Sequence, residues 1–149
     1  MSTLSRNDWE QRASQLKIES RAFINGQYVD ASNGATFDCF SPIDSRLLAR
    51  VASCELADAE LAVANARATF DAGAWSHLAP VARKKIMIRF ADLLDAHAEE
   101  LALLETLDMG KPIGDALSVD VPAASSALRW SGEAIDKIYD EVAATPHDE

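Results

Sequence analysis

The sequence predicts a mostly helical chain opened by two short β-hairpins. Three observations carry that expectation. Asn25-Gly26 stands between two β-rich runs near the start of the chain. After residue 52 the apolar period changes from two to about three and a half and stays there. No strand-like run interrupts the helical segments that follow, so the strand–helix alternation of a parallel sheet is missing from these 149 residues.

The elements follow in order. Residues 5–18 (SRNDWEQRASQLKI) form an amphipathic pattern with Trp9, Ala13, Leu16 and Ile18 on one side and Asn7 or Asp8 as cap. In AFINGQYVD (22–30) the Asn-Gly pair predicts a type I′ turn, which needs positive φ at both central residues. ATFDCF (35–40) and RLLARVA (46–52) form a second pair of runs. Pro42 sets φ in their connection, and the Asp44 carboxylate can accept from the backbone ahead.

A helix is predicted from Leu56 to Asp71, closed by Gly73. Its many alanines (Ala59, Ala62, Ala66) imply close packing against another element. Pro80 opens the next helix, where its missing N–H is no loss. There Ile86, Phe90, Leu93 and His97 make one face, widened by Met87, Ala91 and Leu94, and His97 is expected to be partly buried. The segment 99–109 follows and stops at Gly110. The last helix is predicted from Pro122, with Ala124, Ala127, Leu128, Ser131, Ile135, Ile138 and Val142 along one stripe.

Composition is that of a globular chain, with 48% hydrophobic and 26% charged residues. The net charge is −10 and resides after residue 50, so a nucleic-acid partner is not expected. Two cysteines make no disulfide framework. The N-terminus lacks the apolar core of a secretory signal, and no run is long enough to span a membrane. A cytoplasmic protein is expected.

Most candidate chemistry fails on spacing. A phosphate loop around Gly110-Lys111 would need glycine at 105 and Ser or Thr at 112, where Glu105 and Pro112 stand. No dinucleotide glycine fingerprint or nucleophile elbow occurs. His77, His97 and His147 lie far apart, without partners at metal-ligand spacing. An acidic metal-buffering domain would need carboxylates clustered near histidine, and they are absent. Cys54 sits at a helix start, which favours a thiolate, but Glu55 and Asp58 oppose it and no histidine is near to act as base. Cys39 alternates with Phe37 and Phe40 and is expected in the core. Asp108 is the exception. It is a carboxylate at the negative end of a helix, where it needs compensation from Lys111, a nearby N–H or a cation.

Several motifs together resemble one family. DAELAVANARATF (58–70), Trp75, Arg83 and FADLLDAHAEELALLETLDMGKP (90–112) are similar to the N-terminal region of the NAD(P)-dependent aldehyde dehydrogenases. FINGQYV (23–29) and SPID (41–44) resemble that family's opening hairpin and the turn of its next strand pair. WEQRASQLKIESR (9–21) and RWSGEAIDKIY (129–139) most resemble the branch acting on γ-glutamyl-γ-aminobutyraldehyde. The resemblance implies an α/β fold in which residues 1–21 form a helical arm. Residues 22–149 would be an incomplete N-terminal part of the Rossmann-like cofactor-binding domain.

It further implies oxidation of an aldehyde to an acid by NAD or NADP through a cysteine thiohemiacetal, with an oxyanion-binding Asn and a water-activating Glu. Those residues, the nucleophilic cysteine and the cofactor-binding lysine lie downstream of the matched segment in the family. No catalytic or cofactor-binding residue is therefore assigned here, and the 149 residues alone are expected to be inactive. The implied partners are the remainder of the subunit, an aldehyde substrate and further copies in a dimer or tetramer. Several family members hold Na+ or K+ with the ETLD aspartate and two strand carbonyls, so the resemblance implies such a site. These correspond to Asp108 and the carbonyls of Cys39 and Phe40. Met109 stands where the family commonly has Asn or Thr. The alternative is a noncatalytic helical interaction module or a truncated gene product.

Overall fold

The computed structural model describes residues 4–137. Helix α1 spans Arg6–Gln15. Its cap is Ser5 rather than Asn7 or Asp8. The Asp8 N–H donates to Ser5 Oγ, while Asp8 Oδ2 accepts from the Ser5 N–H at 2.7 Å, a reciprocal box that satisfies two donors. Trp9 is buried with Leu103 and Leu107, so α1 lies on the main chain of packing.

The first hairpin pairs β1 (Ala22–Ile24) with β2 (Gln27–Val29). Asn25 and Gly26 have φ of 54° and 73°, the left-handed pair that the Asn-Gly turn predicts. The second pairs β3 (Thr36–Phe40) with β4 (Leu47–Ala52), antiparallel. The Arg46 N–H donates to Asp44 Oδ1 at 3.1 Å, closing the predicted turn. The register runs evenly from Thr36↔Ala52 to Cys39↔Ala49 and then jumps to Phe40↔Leu47. This bulge leaves Leu48 without an opposite residue and locally breaks the ladder. Leu48 packs onto the Trp9–Leu103–Leu107 cluster.

Helix α2 spans Leu56–Asp71 and α3 spans Pro80–Ala96, with proline in the first turn. Helix α4 spans Ala98–Met109 and ends at Gly110, whose φ of 75° is the left-handed cap a Cβ would oppose. Next come a one-turn helix α5 (Ile113–Asp115), a π-helical turn (Ala116–Asp120) and α6 (Val121–Ala134). The final helical run thus starts nine residues before the predicted Pro122. Ala102 of α4 packs against Ala116 and Val121, a second small core beside the first.

Four expectations about burial are corrected. On α3, Ile86, Phe90 and Leu93 stay exposed, whereas Ala91 is fully buried and Met87, Ile88 and Leu94 are half-buried. Helix α6 lies on that side, because Gly132 brings the backbones close: a Cβ there would meet Met87 Cβ at 2.9 Å. On α6 the buried positions are Val121, Ser125 and Gly132, while Ala124, Ala127 and Ser131 of the predicted stripe face out. Ile138 and Val142 lie outside the described residues. His97 is exposed, since it forms the corner between α3 and α4 and meets Glu100 at 3.4 Å. Cys39 is half-buried rather than core.

Charged pairs flank the α3–α6 seam. Arg129 forks onto Asp92 and Asp95, each at 2.9 Å, and Lys84 reaches Glu133 and Asp136. A hydrogen bond from Ser125, then the hydrogen bond and charge of Arg129, hold the Asp95 carboxyl below its ordinary value. The close packing expected of α2 is not found among the described residues. Leu56, Leu61, Val63 and Phe70 are all exposed. Helix α2 is anchored instead at its start by Asp58. That buried carboxylate accepts from the Glu55 N–H and the Ser32 N–H, each at 2.9 Å, and from the Ser32 hydroxyl at 3.1 Å. These bonds, from the Glu55 and Ser32 backbones first, hold its carboxyl below the ordinary value. Among the described residues no helix is long and apolar enough to cross a membrane.

Candidate functional site

The end of α4 meets the second hairpin, and Asp108 lies at the contact. The left-handed Gly110 turns the chain under the β3–β4 connection, where a Cβ would come within 3.1 Å of Pro42 Cγ. The Gly110 N–H donates to the Thr106 carbonyl at 2.9 Å and closes the last turn of α4. Leu48, made available by the bulge, packs beside Leu107. A groove of about 330 Å³ opens along this junction, lined mainly by apolar side chains such as Ile18, Leu48, Leu104 and Met109, with Cys39, Glu105 and Asp108 as its polar residues.

Of the three sequence-predicted site residues, Cys39 and Asp108 meet here through their side chains. The Cys39 thiol donates to Asp108 Oδ1 across 3.4 Å. That hydrogen bond, reinforced by desolvation and by the carboxylate charge, pushes the thiol above its ordinary pKa. Cys39 is therefore held as a thiol, the opposite of what a nucleophile needs. The bulge falls between Cys39 and Phe40, so the ladder is broken where two carbonyls were expected to serve as ligands.

Lys111 does not compensate Asp108. Its ammonium pairs with Asp120 at the end of the π turn and lies 3.7 Å from Glu105. The Asp120 hydrogen bond, then the charges of Asp120, Glu105 and Asp115, raise its pKa. Among the described residues no basic side chain pairs with Asp108. An exposed carboxylate thus stands at a helix C-terminus with one oxygen on a neutral thiol. A hard monovalent cation there would need backbone oxygens beside this carboxylate, because the rest of the groove lining is mainly apolar. Among the described residues no three His, Cys, Asp or Glu side chains cluster as a metal site.

Sequence reasoning missed Asp120 and Glu105 as the partners of Lys111. The helical run was expected to begin at Pro122, which left Asp120 in a loop. The available signal was Pro112 followed by helix-compatible residues, since proline favours the first helical turn. The other candidates carry no chemistry. Cys54 is exposed just before α2. His77 folds over Gly73, where a Cβ would strike its ring at 2.1 Å.

Residues 28–149 match the model of the aldehyde dehydrogenase family. The chain is 48% identical over 137 residues to the NADP/NAD-dependent aldehyde dehydrogenase PuuC of Escherichia coli K12, covering 92% of this chain and 28% of that protein. Its structure superposes with TM-score 0.96 on a Pseudomonas syringae AldA indole-3-acetaldehyde dehydrogenase in complex with NAD+ and IAA. That match has 70% identity and covers 98% of this chain and 30% of the other. It superposes with TM-score 0.94 on a γ-glutamyl-γ-aminobutyraldehyde dehydrogenase from Burkholderia cenocepacia J2315, at 55% identity, with 97% of this chain and 29% of the other covered. The chain spans about three tenths of the length of these proteins.

Proposed function

This chain belongs to the aldehyde dehydrogenase family and carries the N-terminal portion of its fold, and from that premise we propose that it contributes to the oxidation of an aldehyde to a carboxylic acid with NAD or NADP. The observation that carries the reading is the superposition over 98% of the chain at 70% identity with an indole-3-acetaldehyde dehydrogenase. The chemistry is a thiohemiacetal on a cysteine that is neither Cys39 nor Cys54. Cys39 is held protonated by Asp108, and Cys54 has no neighbouring base in sequence. The dinucleotide supplies the hydride acceptor when bound. Its binding residues, like the nucleophile, the oxyanion donors and the general base, belong to sequence beyond these 149 residues.

In this reading residues 1–21 are an arm and residues 22–149 are part of the cofactor-binding domain. The exposed apolar residues of α2 and the Ile86–Phe90–Leu93 face of α3 meet the remainder of the subunit. The assembled protein is a cytoplasmic homo-oligomer. Asp108, with the carbonyls of Cys39 and Phe40, holds Na+ or K+ and so ties the helix end to the second hairpin. The bulge between Cys39 and Phe40 and the unneutralised carboxylate support that role.

A chimera tests the reading. This chain replaces the corresponding segment of PuuC, and aldehyde-dependent NADH formation is followed by absorbance. The chimera is expected to turn over, while the 149-residue chain alone is expected to give no NADH. A folded but inactive chimera, or turnover by the chain alone, overturns it.

A further inference from the structure

The start of α3 holds a cation without a counter-ion. The helix opens Pro80-Val81-Ala82-Arg83-Lys84-Lys85, with successive basic side chains near its positive pole and no acid in its first turn. Cations are disfavoured at that pole and anions favoured. Lys84 is answered by Glu133 and Asp136 across the α3–α6 seam, and Lys85 is exposed to water. Arg83 has neither remedy. The residue is half-buried, and its Nε is buried with no hydrogen-bond partner. This is unusual in a chain of net charge −10. Every other arginine, the exposed Arg89 apart, pairs with a carboxylate. The acids that α6 brings to this end of α3, Glu133 and Asp136, are engaged by Lys84 and Lys137. An N–H withdrawn from water without an acceptor weakens the fold until an acceptor arrives.

Arg83 also stands at the head of an apolar face. Positions 83, 86, 90 and 93 follow one another at helical spacing, and Ile86, Phe90 and Leu93 are exposed. The adjoining stripe, through Met87 and Ala91, is the one that α6 covers. We propose that Arg83 is a docking residue that takes a carboxylate from the remainder of the subunit as apolar side chains of that part settle on Ile86, Phe90 and Leu93. The inference rests on the family reading given above and names the chemistry of the contact. The matched relatives are much longer, this chain covering 28% of one and 30% of another, so the occupant is the rest of the same polypeptide. A guanidinium presents Nε–H and one Nη–H side by side, and this edge fits the two oxygens of a carboxylate. A neutral acceptor would satisfy the buried N–H but leave the cation uncompensated at the positive pole. A carboxylate answers both.

The test compares the 149-residue chain with the PuuC chimera described above, by thermal unfolding. Arg83→Met keeps an apolar stem and removes the donors. In the chain alone it should leave Tm unchanged or raise it, because an unpaired N–H is removed and no partner is lost. In the chimera it should lower Tm by several degrees, because the facing carboxylate is left buried and unpaired. Arg83→Lys keeps the charge but has no N–H at the Nε position, and in the chimera it should recover less than half of that loss.

The second arm identifies the partner in the Arg83→Lys chimera with a water-soluble carbodiimide, which joins an amine to a carboxylate in contact with it. Peptide mapping should place a link between position 83 and an Asp or Glu of the PuuC-derived part, in material of single-subunit mass. Equal Tm losses in chain and chimera would make Arg83 an internal structural residue, and no loss in either would make it a solvated one. Full recovery by Arg83→Lys would remove the two-pronged contact. No link to the PuuC-derived part, or a link only between two subunits, would place the partner elsewhere. Each of these results overturns the proposal. A parent chimera that folds without turning over sinks the family reading alone, since neither the Tm comparison nor the link depends on activity.

Discussion

Helices α4 and α2 are both built from small and aliphatic residues among charged ones, and they have opposite fates in the structure. Helix α2 has six alanines and two leucines in 16 residues, and α4 two alanines and four leucines in 12. Helix α4 buries Ala102, Leu103 and Leu107 against α1, β4 and the π turn. Helix α2 leaves Leu56, Leu61, Val63 and Phe70 exposed and is held mainly through the Asp58 bonds at its start. The difference teaches that apolar periodicity specifies a helix and a face, but not whether a partner is present. In α4 the partners lie within this chain. In α2 they are, in the reading proposed above, the remainder of a longer subunit.

The largest expected effect separates these two helices directly. Leu103→Ala should destabilise the chain by about 2–5 kcal/mol, because neighbours locked by Trp9 and Leu107 cannot collapse fully into the void. Leu61→Ala should stay within about 0.5 kcal/mol, since leucine and alanine have similar helix propensity and the side chain is exposed. Urea unfolding followed by tryptophan fluorescence compares them. Equal losses would mean that α2 is packed in solution and would remove the contrast.

A smaller effect asks whether the α3–α6 seam belongs with the tightly packed half. Gly132→Leu pushes atoms into Met87 and Ile88, where even a Cβ would sit 2.9 Å from Met87 Cβ. Overpacking should cost about 1–3 kcal/mol. Gly114→Ala meets open space and should gain about 0.4–1 kcal/mol by restricting the unfolded chain. Shifts in urea midpoint read both. A neutral Gly132→Leu would show that the seam gives way and that Arg129 and Lys84 hold the helices apart rather than close.

What was legible in the sequence was local. The Asn25-Gly26 turn, the Asp44 turn, the Pro80 start and the Gly73 and Gly110 stops are each fixed by one or two residues. Their φ preferences or hydrogen bonds act within a few positions. Asp108 was legible for the same reason, as a carboxylate at the wrong end of a dipole. The rest depended on partners distant in sequence. Met87 and Ala91 outrank Ile86 and Phe90 on α3 because a glycine 41 positions after Ala91 admits α6 on that side. His97 is exposed because two helices, not one, meet at it. The partner of Lys111 was hidden because the π turn has no residue-level signature, and it rotates Asp120 out of its α-helical place. The Cys39–Asp108 bond spans 69 positions, and only the bulged hairpin brings its ends together.

The smallest effect tests how α2 is attached, and its sign follows from linkage. Asp58 has a folded-state pKa below its ordinary value, because the Glu55 N–H, the Ser32 N–H and the Ser32 hydroxyl all donate to the charged form. A depressed carboxyl pKa means that the unfolded chain binds more protons as the pH falls. Its stabilisation is complete above the unfolded carboxyl value, about pH 4, and drains away as the pH drops through the lower folded value. Asp58→Asn should therefore lower Tm at pH 7 and flatten the difference from the parent chain below pH 4. Hydrogen exchange should place the loss at the start of α2 and at Ser32, with the α4 core unchanged. If exchange instead quickens equally through α4, the Asp58 anchor is part of the main core, and α2 is not the separately held element that its exposed face implies.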